Sequence, residues 1–335
     1  MRKQIIVLLA AFLLTGCRAR GDFPPMPTAP ESRQVMFGVA NYWSPSEWYS
    51  SYYNEVRIHL YDFETDGLLY ELMIRYADSN FEAQLRHIDD MIDGQVDALI
   101  VEIADTANVG AVITKAKAAD TPVVLVGLEP DAADMGAWDK TCFVGADISQ
   151  SGKVLGGLIA DLPAGGDINA DGVLSCVVLM SDPDDERDLT VLENMRNTLS
   201  DRGVIFKELS SEYAAWDQDL AQSIVSAAIE EFGAGIDMFL CLNDYYIPMA
   251  YQAIAGLGRV IDEDIYLVGG NANDESEGLV EDSLVTGTVV TAYGDVARAE
   301  TEAAIRFADG LDNEKYIMVN CFRPFVNKQV ELNNR

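Results

Sequence analysis

Short, β-branched apolar runs alternate along this chain with segments that are apolar on one helical face, and the alternation goes through two rounds. In the first round, Val35–Val39, Leu68–Ile74, Val96–Val101, Val123–Val126 and the run around Phe143-Val144-Gly145 read as strands. Between them, Ser46–Leu60, Asn80–Ile92 and Asn108–Ala119 read as helices; Phe81, Leu85, Ile88 and Ile92 share one face of the second. The second round places helices at Ser149–Ala160, Leu189–Leu199, Asp217–Glu231, Tyr246–Ala255 and Ala297–Ala308. Its strands are a run ending at Met180, then Met238–Leu242, Tyr266–Val268 and Gly287–Val290. Strands that alternate with helices predict an α/β fold with parallel sheets and right-handed crossovers. With 335 residues, 49% of them apolar, the chain can bury two cores. The expected organisation is two Rossmann-like lobes joined by a hinge, 34–146 plus 291–315 and 147–290 plus 316–330. The cleft between such lobes is the natural place for a small ligand held by hinge closure.

Charge and motifs exclude several classes of function. A formal charge of −32 is the wrong sign for a phosphate backbone, and no helix-turn-helix precedes the first strand, so nucleic acid is not an expected partner. The two histidines, His59 and His87, lie in helical patterns. No nucleophile elbow, H-E-x-x-H or phosphate loop accompanies them, so no enzyme is expected. Cys142, Cys176 and Cys241 sit in apolar runs as small buried hydrophobes and none of the cysteines has C-x-x-C spacing, so zinc and thioredoxin chemistry are not expected, while the pairing state of these three and Cys321 stays open. Arg2 and Lys3 precede an apolar run, Ile5–Leu14, too short to span a bilayer and suited to a signal peptide. That run closes on Leu14-Thr15-Gly16-Cys17, which resembles the lipobox of bacterial lipoproteins and implies cleavage before Cys17 and its acylation. Residues 18–33 are proline-rich and read as a tether, so the protein is expected to be exported and lipid-anchored at a membrane surface.

The segment Asp167–Arg187 holds the most chemistry. Asp167, Asn169, Asp171 and Ser175 stand at positions 1, 3, 5 and 9 of a calcium-loop pattern, with Gly172 at 6 and the Val173 carbonyl at 7. Position 12, where a bidentate glutamate belongs, is Val178, and a strand follows instead of a helix, so this is not an EF-hand. Spacing alone fits a calcium loop and a turn of self-capping Asp and Asn side chains equally well. Beyond the strand comes the polar turn Ser181–Arg187, at the end of a parallel strand where ligands bind.

Several blocks in order carry a resemblance: Thr121-Pro122-Val123-Val124, Leu128-Glu129-Pro130, Trp138-Asp139-Lys140, Val144-Gly145-Ala146-Asp147, Ala215-Trp216-Asp217 and Leu242-Asn243-Asp244. With the loop at Asp167, they make the chain similar to the periplasmic galactose/glucose-binding proteins, the type I solute-binding fold of sugar ABC importers. The resemblance implies Ca²⁺ as a structural cofactor, with Asp237, six residues before Asn243, supplying the closing carboxylate. It implies a sugar sandwiched between aromatic rings, Trp48 from one lobe and Trp216 from the other, with Asn243 and Asn271 as hydrogen-bonding partners. Ser46, Gly127 and Thr291 stand where the family has polar gripping residues, and Asp184 with Arg187 is the corresponding acceptor–donor pair. The implied partners are a monosaccharide, a membrane permease and a chemoreceptor, for a monomeric protein. These departures, and an acidic rim of Glu47, Asp184 and Asp185, leave an amino-sugar, a nucleoside or a cationic solute as the alternative ligand.

Overall fold

The computed structural model describes residues 33–65, 67–183 and 185–333; the segment expected to be a signal peptide, Cys17 and Asp184 lie outside them. The first round comprises β1 (Arg33–Asn41), α1 (Glu47–Phe63), β2 (Leu68–Tyr76), α2 (Phe81–Asp93), β3 (Ala98–Ile103), α3 (Val109–Ala118), β4 (Val123–Gly127), α4 (Ala132–Met135) and β5 (Thr141–Ala146). The second comprises α5 (Ile148–Ala160), β6 (Leu174–Met180), α6 (Glu186–Asp201), β7 (Phe206–Tyr213), α7 (Gln218–Phe232), β8 (Met238–Cys241), α8 (Ile247–Gly256), β9 (Tyr266–Gly269), α9 (Asp274–Glu281) and β10 (Gly287–Thr291). The chain then returns through α10 (Tyr293–Ala308) and β11 (Tyr316–Val319) to β12 (Phe322–Val326) and α11 (Lys328–Asn333).

Two six-stranded sheets result, ordered β11-β5-β4-β3-β1-β2 and β12-β10-β9-β8-β6-β7. All their pairings are parallel except β10 with β12. Each sheet is covered on both faces, by two buried clusters in each lobe. The central strands are accordingly continuous apolar runs, β6 being buried at every residue. Cys142, Cys176, Cys241 and Cys321 are free and buried in these cores. Among the described residues no helix is long and apolar enough to cross a membrane.

The structure moves several sequence expectations. Strand β11 pairs with β5, so the last crossing falls after Val319 and 316–319 belong to the first lobe, not the second. Strand β7, an edge strand whose residues are mostly half-buried, lacks the apolar signature that marks its central neighbours. Helix α6 begins at Glu186 because Asp185 caps it, accepting from the backbone N–H groups of Arg187 and Asp188. Helix α10 begins four residues early, at Tyr293, which brings that ring to the cleft. The three crossings are stitched together by backbone hydrogen bonds, Asp147 N to Val319 O (3.0 Å) and Ala292 N to Cys321 O (2.7 Å).

Candidate ligand cleft and oxygen-rich loop

Two adjoining cavities share Trp48 and Tyr293. The larger, about 590 Å³, lies between the lobes, where those rings face Ala272, Asn273, Thr291 and the acidic start of α9. The smaller, about 180 Å³, lies at the carboxyl ends of the first sheet, against Asn41 of β1, Glu102 of β3, Gly127 of β4 and Gly145 of β5. Its aromatic wall comes from α1, where Trp48, Tyr49, Tyr52 and Tyr53 recur at helical spacing. Trp48 lies parallel to Tyr52 (5.2 Å, 9°) and stands edge-on to Tyr293 (5.3 Å, 88°). Beneath the rings, each of the three α1 phenols gives its proton to a fixed acceptor. Tyr49 donates to Glu102 (2.5 Å), Tyr52 to Glu300 (2.6 Å) and Tyr53 to the Asn41 carbonyl oxygen (2.5 Å).

Glu300 is fully buried, and its second oxygen finds no hydrogen-bond partner among the described residues. Burial pushes its carboxyl up to about 7; the Tyr52 hydroxyl opposes the shift and the Glu102 charge adds to it. The folded state therefore binds this proton more tightly than the unfolded chain. Its contribution is fully present below the ordinary carboxyl range and lost as pH rises through about 7. Stability is expected to fall across that window by at most about 1.4 kcal/mol per pH unit from this group. Denaturant unfolding of Glu300→Gln against the wild type checks it: the variant's profile should be flatter there, and an unchanged slope would refute the assignment.

The sequence-predicted ligand residues are only partly united. Trp48 and Thr291 line the larger cavity together. Ser46 caps α1 and accepts from Tyr49 N (3.3 Å), so its hydroxyl serves its own helix. Gly127 has φ +91°, and a Cβ there would meet the Ile103 carbonyl at 2.5 Å, so the site can take no side chain from that position. Asn243, Asn271 and Thr291 all stand at the carboxyl ends of second-sheet strands. Buried Asp244 ties those ends together, accepting from Asn271 N (3.0 Å) and the Thr288 hydroxyl (2.6 Å). The Asn243 side chain caps the turn that follows it, accepting from Tyr245 N (3.0 Å). Arg187 lies 3.8 Å from Asp188, an ion partner other than the expected Asp184, which is outside the described residues. Trp216 stands 59% exposed in the loop from β7 to α7, beside Tyr245 and Tyr246, and does not line either cavity. Ala215 and Trp216 both have φ near +50 to +60°, and the Tyr246 hydroxyl accepts from Trp216 N (3.0 Å). Strain of this kind in a bulky residue is characteristic of functional loops. Reasoning from sequence missed Asn41, Glu102, Tyr293 and the α1 tyrosines. The one available signal was Glu102, a lone carboxylate inside the apolar run of β3.

At the opposite, amino end of the second sheet, the Asp167 loop folds around its own oxygens. Asp167 accepts from Asp171 N (3.2 Å) and Gly172 N (2.7 Å), and Asp171 accepts from Val173 N (2.9 Å). Asn169 accepts from Asp171 N (3.0 Å). Asp237, fully buried just before β8, closes the loop by accepting from Asn169 N (3.1 Å) and Ser175 N (2.8 Å). Burial raises the Asp237 carboxyl; those two N–H bonds oppose the shift, and Asp167 and Asp171 add to it. Among the described residues no three His, Cys, Asp or Glu side chains are drawn together closely enough to hold a metal ion by themselves. The set as predicted also has neutral oxygens, from Asn169, Ser175 and the Val173 carbonyl, and an all-oxygen set suits a hard cation.

Residues 37–312 match the family model described as a periplasmic binding protein domain. The chain is 25% identical over 245 residues, 72% of each protein, to the D-galactose/methyl-galactoside binding periplasmic protein MglB of Haemophilus influenzae. Its fold is similar to an ABC transporter periplasmic solute binding protein from Actinobacillus succinogenes with bound D-allose (TM-score 0.65, 16% identity, 89% of this chain and 99% of that one). It is also similar to the periplasmic binding protein component of the arabinose ABC transporter from Shewanella, bound to L-arabinofuranose (TM-score 0.66, 18% identity, 90% and 94%).

Proposed function

We propose, because this chain belongs to the family of periplasmic binding protein domains, that it is the sugar-capturing subunit of an ABC importer. It is a binding protein and not an enzyme: capture requires only that the lobes close. The observation that carries the reading is the interlobe cavity, where Trp48 and Tyr293 of one lobe face Asn273 and Thr291 of the other. Flat rings take the apolar face of a pyranose, and planar polar groups take its hydroxyls. A permease that recognises the closed form would be the partner, with a chemoreceptor as a second one. The exported protein would act as a monomer held to the membrane through Cys17.

The test is thermal unfolding of the calcium-loaded protein, from which the leader has been removed, against a panel of hexoses and pentoses. A sugar that binds only the native form is expected to add about 2.7 kcal/mol at one hundred times its dissociation constant. Absence of any shift across the panel would overturn the reading of the ligand as a neutral hexose or pentose.

Calcium at the Asp167 loop is part of the same proposal. Asp167, Asn169, Asp171, Ser175, the Val173 carbonyl and Asp237 would hold it. Support comes from the geometry of Asp237, whose two oxygens accept from Asn169 N and Ser175 N and so lie against two members of the predicted oxygen set. Such an ion would stiffen the second lobe far from the cleft and take no part in ligand chemistry.

A further inference from the structure

The cleft is built for a ligand richer in donors than a neutral sugar. Both cavities are lined by carboxylates, Glu102 in the smaller and Asp274, Glu275 and Glu277 in the larger, and neither has a lysine or arginine among its lining residues. Sugar hydroxyls both donate and accept, so a neutral sugar is matched by donors and acceptors together. Here the balance is displaced. The Tyr49, Tyr52 and Tyr53 hydroxyls have committed their protons to Glu102, Glu300 and Asn41, so the oxygens they leave over can only accept. Trp48, Tyr49, Tyr52 and Tyr293 add aromatic rings to the lining, and a ring's face attracts a cation. Repulsion inside the acidic patch is evident at Glu277, whose carboxyl is raised by burial and by its neighbours Asp274, Glu281 and Asp244. Side-chain donors are fewer: Asn273 and Thr291 in the larger cavity and Asn41 in the smaller. Asn41 is 1% exposed, lines the smaller cavity, and its Nδ2 has no hydrogen-bond partner among the described residues. It calls for an acceptor on the ligand.

We propose that the ligand carries a protonated amine, seated among the rings of α1 and Tyr293 near Glu102, together with hydroxyls of which one reaches Asn41: an amino-sugar. The inference rests on the reading of the cleft as a sugar site. An ammonium against aromatic faces gains attraction that a hydroxyl does not, and Glu102 strengthens it in a half-buried setting.

Calorimetric titration at about pH 6, where an amine is protonated, tests it with three ligand types. These are glucosamine and galactosamine, the corresponding neutral and N-acetylated hexoses, and ethanolamine as an ammonium without a sugar ring. An amino-sugar is expected to bind about tenfold or more tightly than its neutral parent. Glu102→Gln should shrink that ratio, and circular dichroism would show that the variant is folded. A neutral or N-acetylated hexose that binds as tightly as the amino-sugar overturns the inference and leaves the sugar reading intact. Binding of ethanolamine while no sugar binds supports the cationic site and overturns the sugar reading. No binding by any of the three overturns both.

Discussion

Calcium added after chelation should raise the unfolding temperature of the wild-type protein and leave Asp237→Ala where it is. Asp237 ties the Asp167 loop to the start of β6, accepting from Asn169 N and Ser175 N. Removing its carboxylate orphans two backbone donors, at a cost of about 1–3 kcal/mol for each that stays buried. The variant is therefore expected to lose about 2–5 kcal/mol even without calcium. In the wild type, calcium at one hundred times its dissociation constant adds about 2.7 kcal/mol more. Asp237→Asn separates the two effects. Its amide oxygen keeps one of the two backbone bonds while its NH2 group faces the other N–H, and the charge is gone, so most of the calcium response should go while only part of the basal stability is kept. An equal calcium shift in the wild type and Asp237→Ala would show that any ion binds elsewhere, and that the loop is a turn that caps itself.

The second large effect is on binding. Trp48→Ala and Trp216→Ala are each expected to weaken the ligand by about 2 kcal/mol or more, roughly thirtyfold, with Phe recovering much of the loss. Both rings are largely free of the core, at 47% and 59% exposure, so the cost to stability should be small beside the cost to binding. Trp48 also stacks on Tyr52, so its removal loosens the wall of the smaller cavity as well. Trp216 is the sharper test. It is held on a left-handed backbone outside both cavities, an arrangement that makes sense if lobe closure carries it onto the ligand. Titration calorimetry on both variants decides the point. Undiminished affinity in Trp216→Ala would remove that ring from the site and leave the ligand to the rings of the first lobe.

How much of this could be read from the chain depends on how far each feature reaches along it. Strands such as Val123–Gly127 and helices such as Phe81–Asp93 announce themselves through periodicity confined to a few residues. β7 does not, because an edge strand buries less than its neighbours and carries Lys207, Glu208 and Glu212. Among the site residues, Trp48 and Thr291 were singled out from sequence and share the larger cavity. Tyr49, Tyr52 and Tyr53 carry no such mark, since nothing local reveals that Glu102, Glu300 and Asn41 take their protons.

The sequence by itself determined that this chain is α/β in two rounds, that it lacks a phosphate-binding or catalytic motif, and that oxygens alternate from Asp167 onward. Those properties are local: each depends on residues within one element or one loop. Only the tertiary structure decided which distant residues meet. Parallel strands are joined by long crossovers, so the carboxyl ends that build a cleft are contributed by segments scattered along the chain. Tyr52 therefore finds Glu300 across 248 residues, and Asn169 finds Asp237 across 68. The same geometry put Tyr293 beside Trp48.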